Sequence, residues 1–437
     1  MRISSLFKLL VPVAGAAAVA IAALDGSYTL PLDSEAIQYT RAPVDDAVTR
    51  LQKQVDSGKV KLRFEDDFGY LRSVLQALHV PLDSQLLVFS KTSFQAPRIS
   101  PRMPRALYFR DDLAVGFVRT GDVLEFAALD PKQGVVFYTL DQEPNPHPHF
   151  ARRDSCLQCH QSGATLGVPG LMVRSVYPDR TGMPLFHEGS FITDHRSPFK
   201  ERWGGWYVTG THGGQRHMGN AIYADGDQPD PLGNEESQNV TSLEGRIDTG
   251  AYLTPNSDIV ALMTLEHQTR MANLITRVGW EARMAMFENA AINKALGRPA
   301  AELSESSEHR INSAVEEMLG YMLFVDETPL TAPVHGTSGF TEAFAARGPR
   351  DAKGRSLRDF DLHTRMFRYP LSYMIYSEAF DDMPPAAKDR LYKRLWEVLT
   401  GKDTNPVFAR RSPADRKAIL EILRDTKKDL PAYWRSE

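Results

Sequence analysis

Two cysteines and a histidine stand together in the middle of this 437-residue chain. They belong to the segment Cys156-Leu157-Gln158-Cys159-His160, and the chain has no other cysteine. Two thiols separated by two residues and followed directly by an imidazole form the attachment pattern of c-type haem. Each thiol adds to one haem vinyl group, and His160 then supplies a nitrogen to the iron as the proximal ligand. The motif predicts one covalently bound haem c.

The same cysteine spacing has two other interpretations. A C-x-x-C pair forms a redox-active disulfide where it follows a strand and opens a long amphipathic helix in a βαβ unit. A zinc site would need further ligands, such as His147 and His149, folded back onto the thiolates. The proline-containing stretch 144–149 precedes the motif, and Gly163 and Gly167 follow it, so haem is the favoured interpretation.

Through Cys156, Cys159 and His160 the chain resembles the cytochrome c superfamily. The glycine- and proline-containing segment 163–171 is similar to the segment that follows the motif in small cytochromes c. There a proline carbonyl accepts a hydrogen bond from the proximal histidine, and the resemblance gives this role to Pro169. The whole chain is much longer and is similar to large exported single-haem proteins of bacteria. The resemblance therefore implies the cofactor and leaves the substrate open.

A second iron ligand would distinguish an electron carrier from a protein that binds small molecules at the iron. Methionine and histidine close this position, and the foremost candidates are Met218 and His217, followed by His212. An iron with no second protein ligand stays open as an alternative, as do Met172, Met183 and His187.

Aromatic and basic residues beside these candidates are further site predictions. Trp203 and Trp206 are expected to wall the porphyrin, and Arg202 or Arg216 is expected to pair with a haem propionate. For the two tryptophans, the alternative is an aromatic-stapled β-hairpin without cofactor contact. His267 falls on the apolar stripe of a predicted helix, where a buried structural histidine is the commoner outcome. No residue is assigned a catalytic role.

The first residues predict export. Arg2 and Lys8 precede an uncharged run from Leu9 to Leu24, and small residues stand before Asp25, as in a secretory signal peptide over residues 1–23. The run is shorter than the ~20 residues that a spanning helix needs, so cleavage is favoured over a permanent anchor. We therefore expect a periplasmic protein without a membrane span, with an uncleaved inner-membrane anchor as the alternative. Haem c is attached outside the cytoplasm, which agrees with export.

Hydrophobic periodicity predicts an α+β fold in three regions after the signal. Residues 40–145 form an N-terminal α+β unit, 146–250 a loop-rich haem-binding region, and 251–437 a helical C-terminal region. In the first, helices are predicted at 43–58 and 64–78, and antiparallel strands at 85–90, 105–110, 113–119, 123–129 and 135–139. A strand is predicted at 170–177, and helices at 257–292, 305–326, 371–381, 385–400 and 413–427.

Charge and motifs narrow the function. The formal net charge is −4 and no basic run is interleaved with aromatics, so nucleic acid is not expected as a partner. The chain also lacks the usual dinucleotide, phosphate-loop, zinc-protease and serine-hydrolase motifs. We expect electron transfer with a redox protein partner. The alternatives are a haem-dependent oxidoreductase acting on a small substrate and a haem-based sensor.

Overall fold

A seven-stranded antiparallel sheet forms the centre of the N-terminal half. The computed structural model describes residues 29–224, 230 and 233–435, so the predicted signal peptide lies outside the described residues. The strands of this sheet are β1 Leu86–Val88, β2 Arg105–Arg110, β3 Leu113–Phe117, β4 Val123–Asp130, β5 Gly134–Asp141, β6 Phe150–Arg152 and β9 Trp206–Tyr207. They lie in the order β6-β5-β4-β3-β2-β1-β9, and every neighbouring pair is antiparallel.

Two short antiparallel pairs accompany this sheet. β7 (Val173–Val176) pairs with β8 (Ser190–Thr193), and β10 (Gly210–Thr211) pairs with β11 (His335–Gly336). β9 lies in the predicted haem-binding region, yet it pairs with β1 of the N-terminal unit. Backbone hydrogen bonds between these strands therefore connect the two regions.

Helices dominate after residue 258. The longest, α4 (Ile259–Leu296), packs against α5 (Glu305–Met322), and α5 packs against α8 (Pro385–Leu399). The other helices of the described chain are α1 Ala47–Asp56, α2 Leu71–Ala77, α3 Leu157–His160, α6 Phe340–Ala346, α7 Glu378–Asp381, α9 Pro406–Ala409 and α10 Pro413–Thr426. The fold is α+β with a mainly helical C-terminal half, as the sequence predicts.

Capping residues explain where the late helices begin and end. The Ser412 hydroxyl accepts a hydrogen bond from the Asp415 backbone N–H at 3.0 Å, and Pro413 occupies the first helical position of α10. Gly401, at φ +75°, follows the end of α8 in the left-handed conformation that helix C-termini favour. These sequence signals are local, and the structure confirms both boundaries.

Two of the predicted helices are interrupted in the structure. Between Glu65 and Gly69 the backbone forms an antiparallel bridge, and Gly69 has φ +55°, so the helix predicted at 64–78 begins only at Leu71. The helix predicted at 371–381 is divided into the 3-10 turn Tyr373–Tyr376 and α7, because Ser377 caps the second segment. The periodicity of hydrophobic residues alone does not show such interruptions.

The buried apolar side chains form one contiguous core that includes residues from the sheet, the haem-motif region and the C-terminal helices. Strand β5 and helix α4 lie in contact, so the sheet and the helical half share this core. Within the described residues, no helix has both the length and the apolar character needed to cross a bilayer.

Candidate haem-binding site

One short helical turn brings the two cysteines and the histidine together. β6 ends at Arg152, a 3-10 turn covers Asp154–Cys156, and α3 ends at His160. Positions three and four apart lie on the same side of a helix, so Cys156, Cys159 and His160 share one side of this turn. α3 is too short to be the long amphipathic helix that a thioredoxin-like redox pair opens.

Both thiols are free of a disulfide. Cys156 is half-buried and Cys159 is exposed. Burial raises the pKa of the Cys156 thiol above its ordinary value. His147 and His149 are exposed, and among the described residues no three His, Cys, Asp or Glu side chains converge as a metal-binding set.

The imidazole of His160 has a defined tautomer. Its Nδ1 lies 2.9 Å from the Gly170 carbonyl oxygen. Because a carbonyl can only accept, Nδ1 carries the proton, and Nε2 holds the lone pair that a metal requires. Nε2 makes no hydrogen bond to any described residue. Burial lowers the pKa of His160, which further favours the neutral ring.

The resemblance places this hydrogen-bond acceptor one residue too early. Pro169 instead accepts a hydrogen bond from the Val135 backbone N–H at 3.1 Å, while Gly170 accepts from His160. The Gly170 N–H also donates to the His160 carbonyl at 2.9 Å, so the two residues are bound to each other twice.

Helix α4 positions the Gly170 segment. The Asn273 amide accepts from the Leu171 N–H at 3.2 Å and donates to the Leu171 carbonyl at 2.7 Å. A Cβ at Gly170 would collide with this amide, so only glycine allows the segment to approach α4 so closely. Asn273 is buried and acts on His160 through the backbone of residues 170 and 171.

A shelf of small and apolar side chains lies beside the motif. Ala114, Ala127 and Phe137 stand opposite one another across β3, β4 and β5, and Leu107 faces Gly116 on the same side of the sheet. The Phe137 ring lies 4.9 Å from the His160 ring, centroid to centroid. Leu107, Ala114 and Ala127 are only half-buried, although they occupy central strands. This shelf offers an apolar surface to a flat ligand.

Charged groups border the shelf. Arg105 forms a salt bridge with Glu125 at 2.7 Å, and Ser93 and Gln95 also donate to the Glu125 carboxylate. The pKa of His160 is influenced by the charges of Arg105, Glu125 and Arg174, and the pKa of Cys156 by the charge of Arg153.

The two predicted tryptophans occupy different environments. Val88 pairs with Arg105 on one side and with Trp206 on the other. Paired residues lie on the same face of a sheet, so Trp206 is on the face that carries the shelf. Its indole N–H donates to the Arg174 carbonyl at 2.9 Å. Trp203 is fully buried and packs against Phe199 and His217. The two residues do not form the hairpin considered as an alternative, because β9 pairs with β1.

The two predicted propionate partners already bind protein groups. Buried Arg202 donates to Glu266 at 3.1 Å and to the carbonyls of His195 and Ser197. Arg216 forms a salt bridge with Glu235 at the surface. Their pairing with a propionate stays a prediction, and it would require these contacts to be exchanged.

No family model, curated protein or solved structure matches this chain.

The distal-ligand candidates are buried and hydrogen-bonded. His217 Nδ1 accepts from the Gly219 N–H at 3.0 Å, and His212 Nε2 accepts from the Asn239 N–H at 3.0 Å. In a neutral ring the other nitrogen then carries the proton, so neither free nitrogen has a lone pair for iron. The Met218 sulfur accepts from the Ser175 hydroxyl at 3.5 Å. Ligation by Met218 or His217 stays a prediction and would require this segment to change its hydrogen bonds.

His267 is a buried core residue, as its position on the helix stripe predicts. Its Nδ1 lies 2.9 Å from His195 Nδ1, and its Nε2 lies 2.8 Å from the Ser372 hydroxyl. Tyr321 and Phe324 stack on the ring.

Sequence reasoning missed Phe137, Gly170, Asn273, Arg153 and Arg174. The pairing of β5 with its neighbours brings Phe137 to the motif and the packing of α4 brings Asn273, and neither has a local sequence signal. Gly170 stands in the segment that resembles small cytochromes c. The resemblance therefore predicts the acceptor of the His160 hydrogen bond to within one residue.

Proposed function

We propose that the chain is an exported c-type cytochrome that binds one haem through Cys156, Cys159 and His160 and transfers electrons. The hydrogen bond from His160 Nδ1 to Gly170 carries this proposal, since it leaves Nε2 as a metal-binding nitrogen beside two free thiols.

The residues present fit the covalent attachment of haem. Cys156 and Cys159 would each add S–H across one vinyl double bond, with sulfur bonding to one carbon and the hydrogen going to the other. This addition consumes no oxidant or reductant. His160 would bind iron through Nε2, and donation from Nδ1 to Gly170 would increase the basicity of that nitrogen.

When bound, haem supplies a one-electron redox centre. The apolar shelf of Leu107, Ala114, Gly116, Ala127 and Phe137 would exclude water beside the motif, which tunes the reduction potential. Arg153 and Arg174 are candidates for pairing with propionates. The Arg153 Nε–H donates to the Thr139 hydroxyl, and the Arg174 guanidinium donates to the Met172 sulfur; neither side chain forms a salt bridge within the described chain.

A second candidate function is binding or chemistry of a small molecule at the iron, as an oxidoreductase or a sensor. The protonation of the free nitrogens of His212 and His217 favours it, because these rings do not offer a lone pair to close the sixth position. Met172 lies beside Arg174 and is half-buried, so it is a further candidate for closing the site.

Mass spectrometry and the absorption spectrum of the mature protein test the proposal. We expect the polypeptide to carry the mass of one haem and to show the bands of haem c. His160→Ala should abolish covalent haem or give an abnormal spectrum, because the proximal nitrogen is lost. His309→Ala is the matched control, since His309 is exposed on α5 and is not a candidate ligand. An apoprotein mass, or a normal spectrum in His160→Ala, would contradict the assignment.

Carbon monoxide distinguishes the two functions. A low-spin spectrum that is indifferent to the gas indicates two protein ligands and electron carriage. Rapid binding of carbon monoxide with a high-spin ferric form indicates an open site and supports the second function.

A further inference from the structure

A polar cleft opens beside the edge strand β9. Its volume is about 590 Å³, within the range of small-molecule sites, and it is lined in part by Pro101, Arg102, Arg180, Tyr207, Ile222 and Arg246. Successive residues of a strand point to opposite faces. Tyr207, which lines the cleft, therefore projects away from the face on which Trp206 and the shelf lie. The cleft is therefore separate from the proposed haem site.

Three guanidinium groups line this one cleft. Arg102 and Arg180 are exposed, and within the described chain their side chains form neither a hydrogen bond nor a salt bridge. Arg246 donates to the neutral carbonyl of Glu236 at 2.5 Å, and it forms no salt bridge with any residue that the structure describes. Arginine is the residue type best suited to binding carboxylate and phosphate, because its planar fork donates two parallel hydrogen bonds.

Two acidic neighbours have other partners. Asp179 precedes Arg180, but its carboxylate accepts from the backbone N–H groups of Thr181 and Met183. Asp248 forms a salt bridge with Arg119 at 3.0 Å. Neither carboxylate is bound to an arginine of the cleft.

Two of the three arginines lie near the buried Tyr207 side chain. The Tyr207 hydroxyl donates to the Pro101 carbonyl at 2.7 Å, and Arg102 and Arg246 both act electrostatically on Tyr207. Burial raises the pKa of Tyr207 to about 12, although the two positive charges act to lower it. Like charges that face one cleft repel, and a ligand with several negative charges would remove this repulsion.

We propose that the cleft lined by Arg102, Arg180 and Arg246 binds a small polyanion through its carboxylate or phosphate groups. The hydroxyl of Tyr207 is already bound to Pro101, so the arginines supply the recognition. Ile222, which is 40% exposed, adds an apolar contact at the wall of the cleft. This inference is independent of haem binding, because it uses the opposite side of β9.

Isothermal titration calorimetry with the haem-containing mature protein tests this site. The two probes are citrate for carboxylates and pyrophosphate for phosphates, at low ionic strength. We expect one of them to bind with one site per chain, and Arg102→Ala and Arg180→Ala each to weaken binding by about tenfold. Arg102→Lys should retain less than the full affinity, because lysine keeps the charge but loses the fork.

Arg63→Ala is the matched control. Arg63 is an exposed arginine outside the cleft, and its side chain forms no hydrogen bond or salt bridge in the described chain. An unchanged affinity in this variant, with the losses above, supports the site. Preference for citrate or for pyrophosphate assigns the ligand class. The absence of binding by both probes, or equal weakening by Arg63→Ala, overturns the proposal. Unchanged circular dichroism confirms that the variants fold.

Discussion

At the scale of single residues, the state of His160 depends on a chain of contacts. Helix α4 presents Asn273, Asn273 holds Leu171 by two hydrogen bonds, and the adjacent Gly170 carbonyl accepts the His160 proton. Asn273 is therefore a positioning residue that touches neither the thiols nor the imidazole. Partners of this kind orient metal-binding histidines and increase their basicity.

Substitutions at Gly170 and Asn273 test this chain. Gly170→Ala should lower the free energy of unfolding by about 1 to 3 kcal/mol, because the new methyl group would collide with the Asn273 amide. Asn273→Ala should cost about 2 kcal/mol or more, because two backbone groups of Leu171 lose their partners. The double variant should be more stable than the sum of the two losses predicts, since the alanine at 273 removes the collision.

Denaturant unfolding measures these free energies, and the reduction potential of the bound haem provides the second readout. We expect both single variants to shift the potential, because the Gly170 carbonyl moves relative to His160. Strict additivity of the two stability losses, together with an unchanged potential, would show that Asn273 does not position this segment.

The C-x-x-C-H motif can be recognised in the sequence because the chemistry of haem attachment requires fixed local spacing, and the role of its residues as haem ligands stays a prediction. The acceptor of the His160 proton could be predicted only to within one residue, since the resemblance gives Pro169 and the structure has Gly170. Arg174 could not be distinguished by its local sequence from Arg202, which the structure holds in a buried salt bridge with Glu266.

At the scale of elements, the start of α4 depends on Asp258. One carboxylate oxygen accepts from the N–H groups of Val260 and Ala261, and the other accepts from the N–H groups of Thr337 and Ser338. Asp258 is fully buried, so it caps a 38-residue helix and ties it to the segment after β11.

Asp258→Ala should lower the free energy of unfolding by about 3 to 5 kcal/mol, because several buried N–H groups lose their acceptor. Ser304→Ala is the matched control, since Ser304 caps α5 at the exposed surface, and it should cost only about 1 kcal/mol. Chemical denaturation followed by far-ultraviolet circular dichroism gives both values. Similar losses in the two variants would contradict the structural role of Asp258.

Sequence patterns predict the long helices and the consecutive strands well because their signals are local. α4 and α10 have clear caps, and β2 is predicted to the residue. β9 was missed because it contains only Trp206 and Tyr207 and its partner β1 lies more than a hundred residues earlier. The same distance hides which elements surround the haem motif.

At the scale of the whole molecule, the core contains ionisable groups that no apolar pattern reveals. Arg202 pairs with Glu266, and His195 contacts His267, all of them buried where the haem-motif region meets α4. The three sequence regions therefore share one interior. Burial keeps the histidines neutral at physiological pH, and this has a consequence for stability.

Acid should destabilise the fold below pH 6.5. Burial lowers the pKa of His267 to about 3, so the unfolded chain gains a proton between pH 6.5 and 3 that the folded chain does not. The free energy of unfolding must then fall as the pH falls through this window. Three other buried histidines act in the same direction: His195, His212 and His217.

Two carboxylates oppose this trend. Burial raises the pKa of Glu266 and of Glu327 to about 7, so the folded chain holds these protons between pH 7 and about 4.5, and acidification in that range favours folding. The two carboxylates offset only part of the effect of the buried histidines, and we expect a net loss of stability between pH 6.5 and 5. His267→Asn should reduce the slope by about 1.4 kcal/mol per pH unit, the equivalent of one proton. His309→Asn, at an exposed position on α5, should leave the slope unchanged. Urea unfolding at several pH values measures the slope, and an unchanged slope in His267→Asn would show that His267 takes up a proton in the folded state.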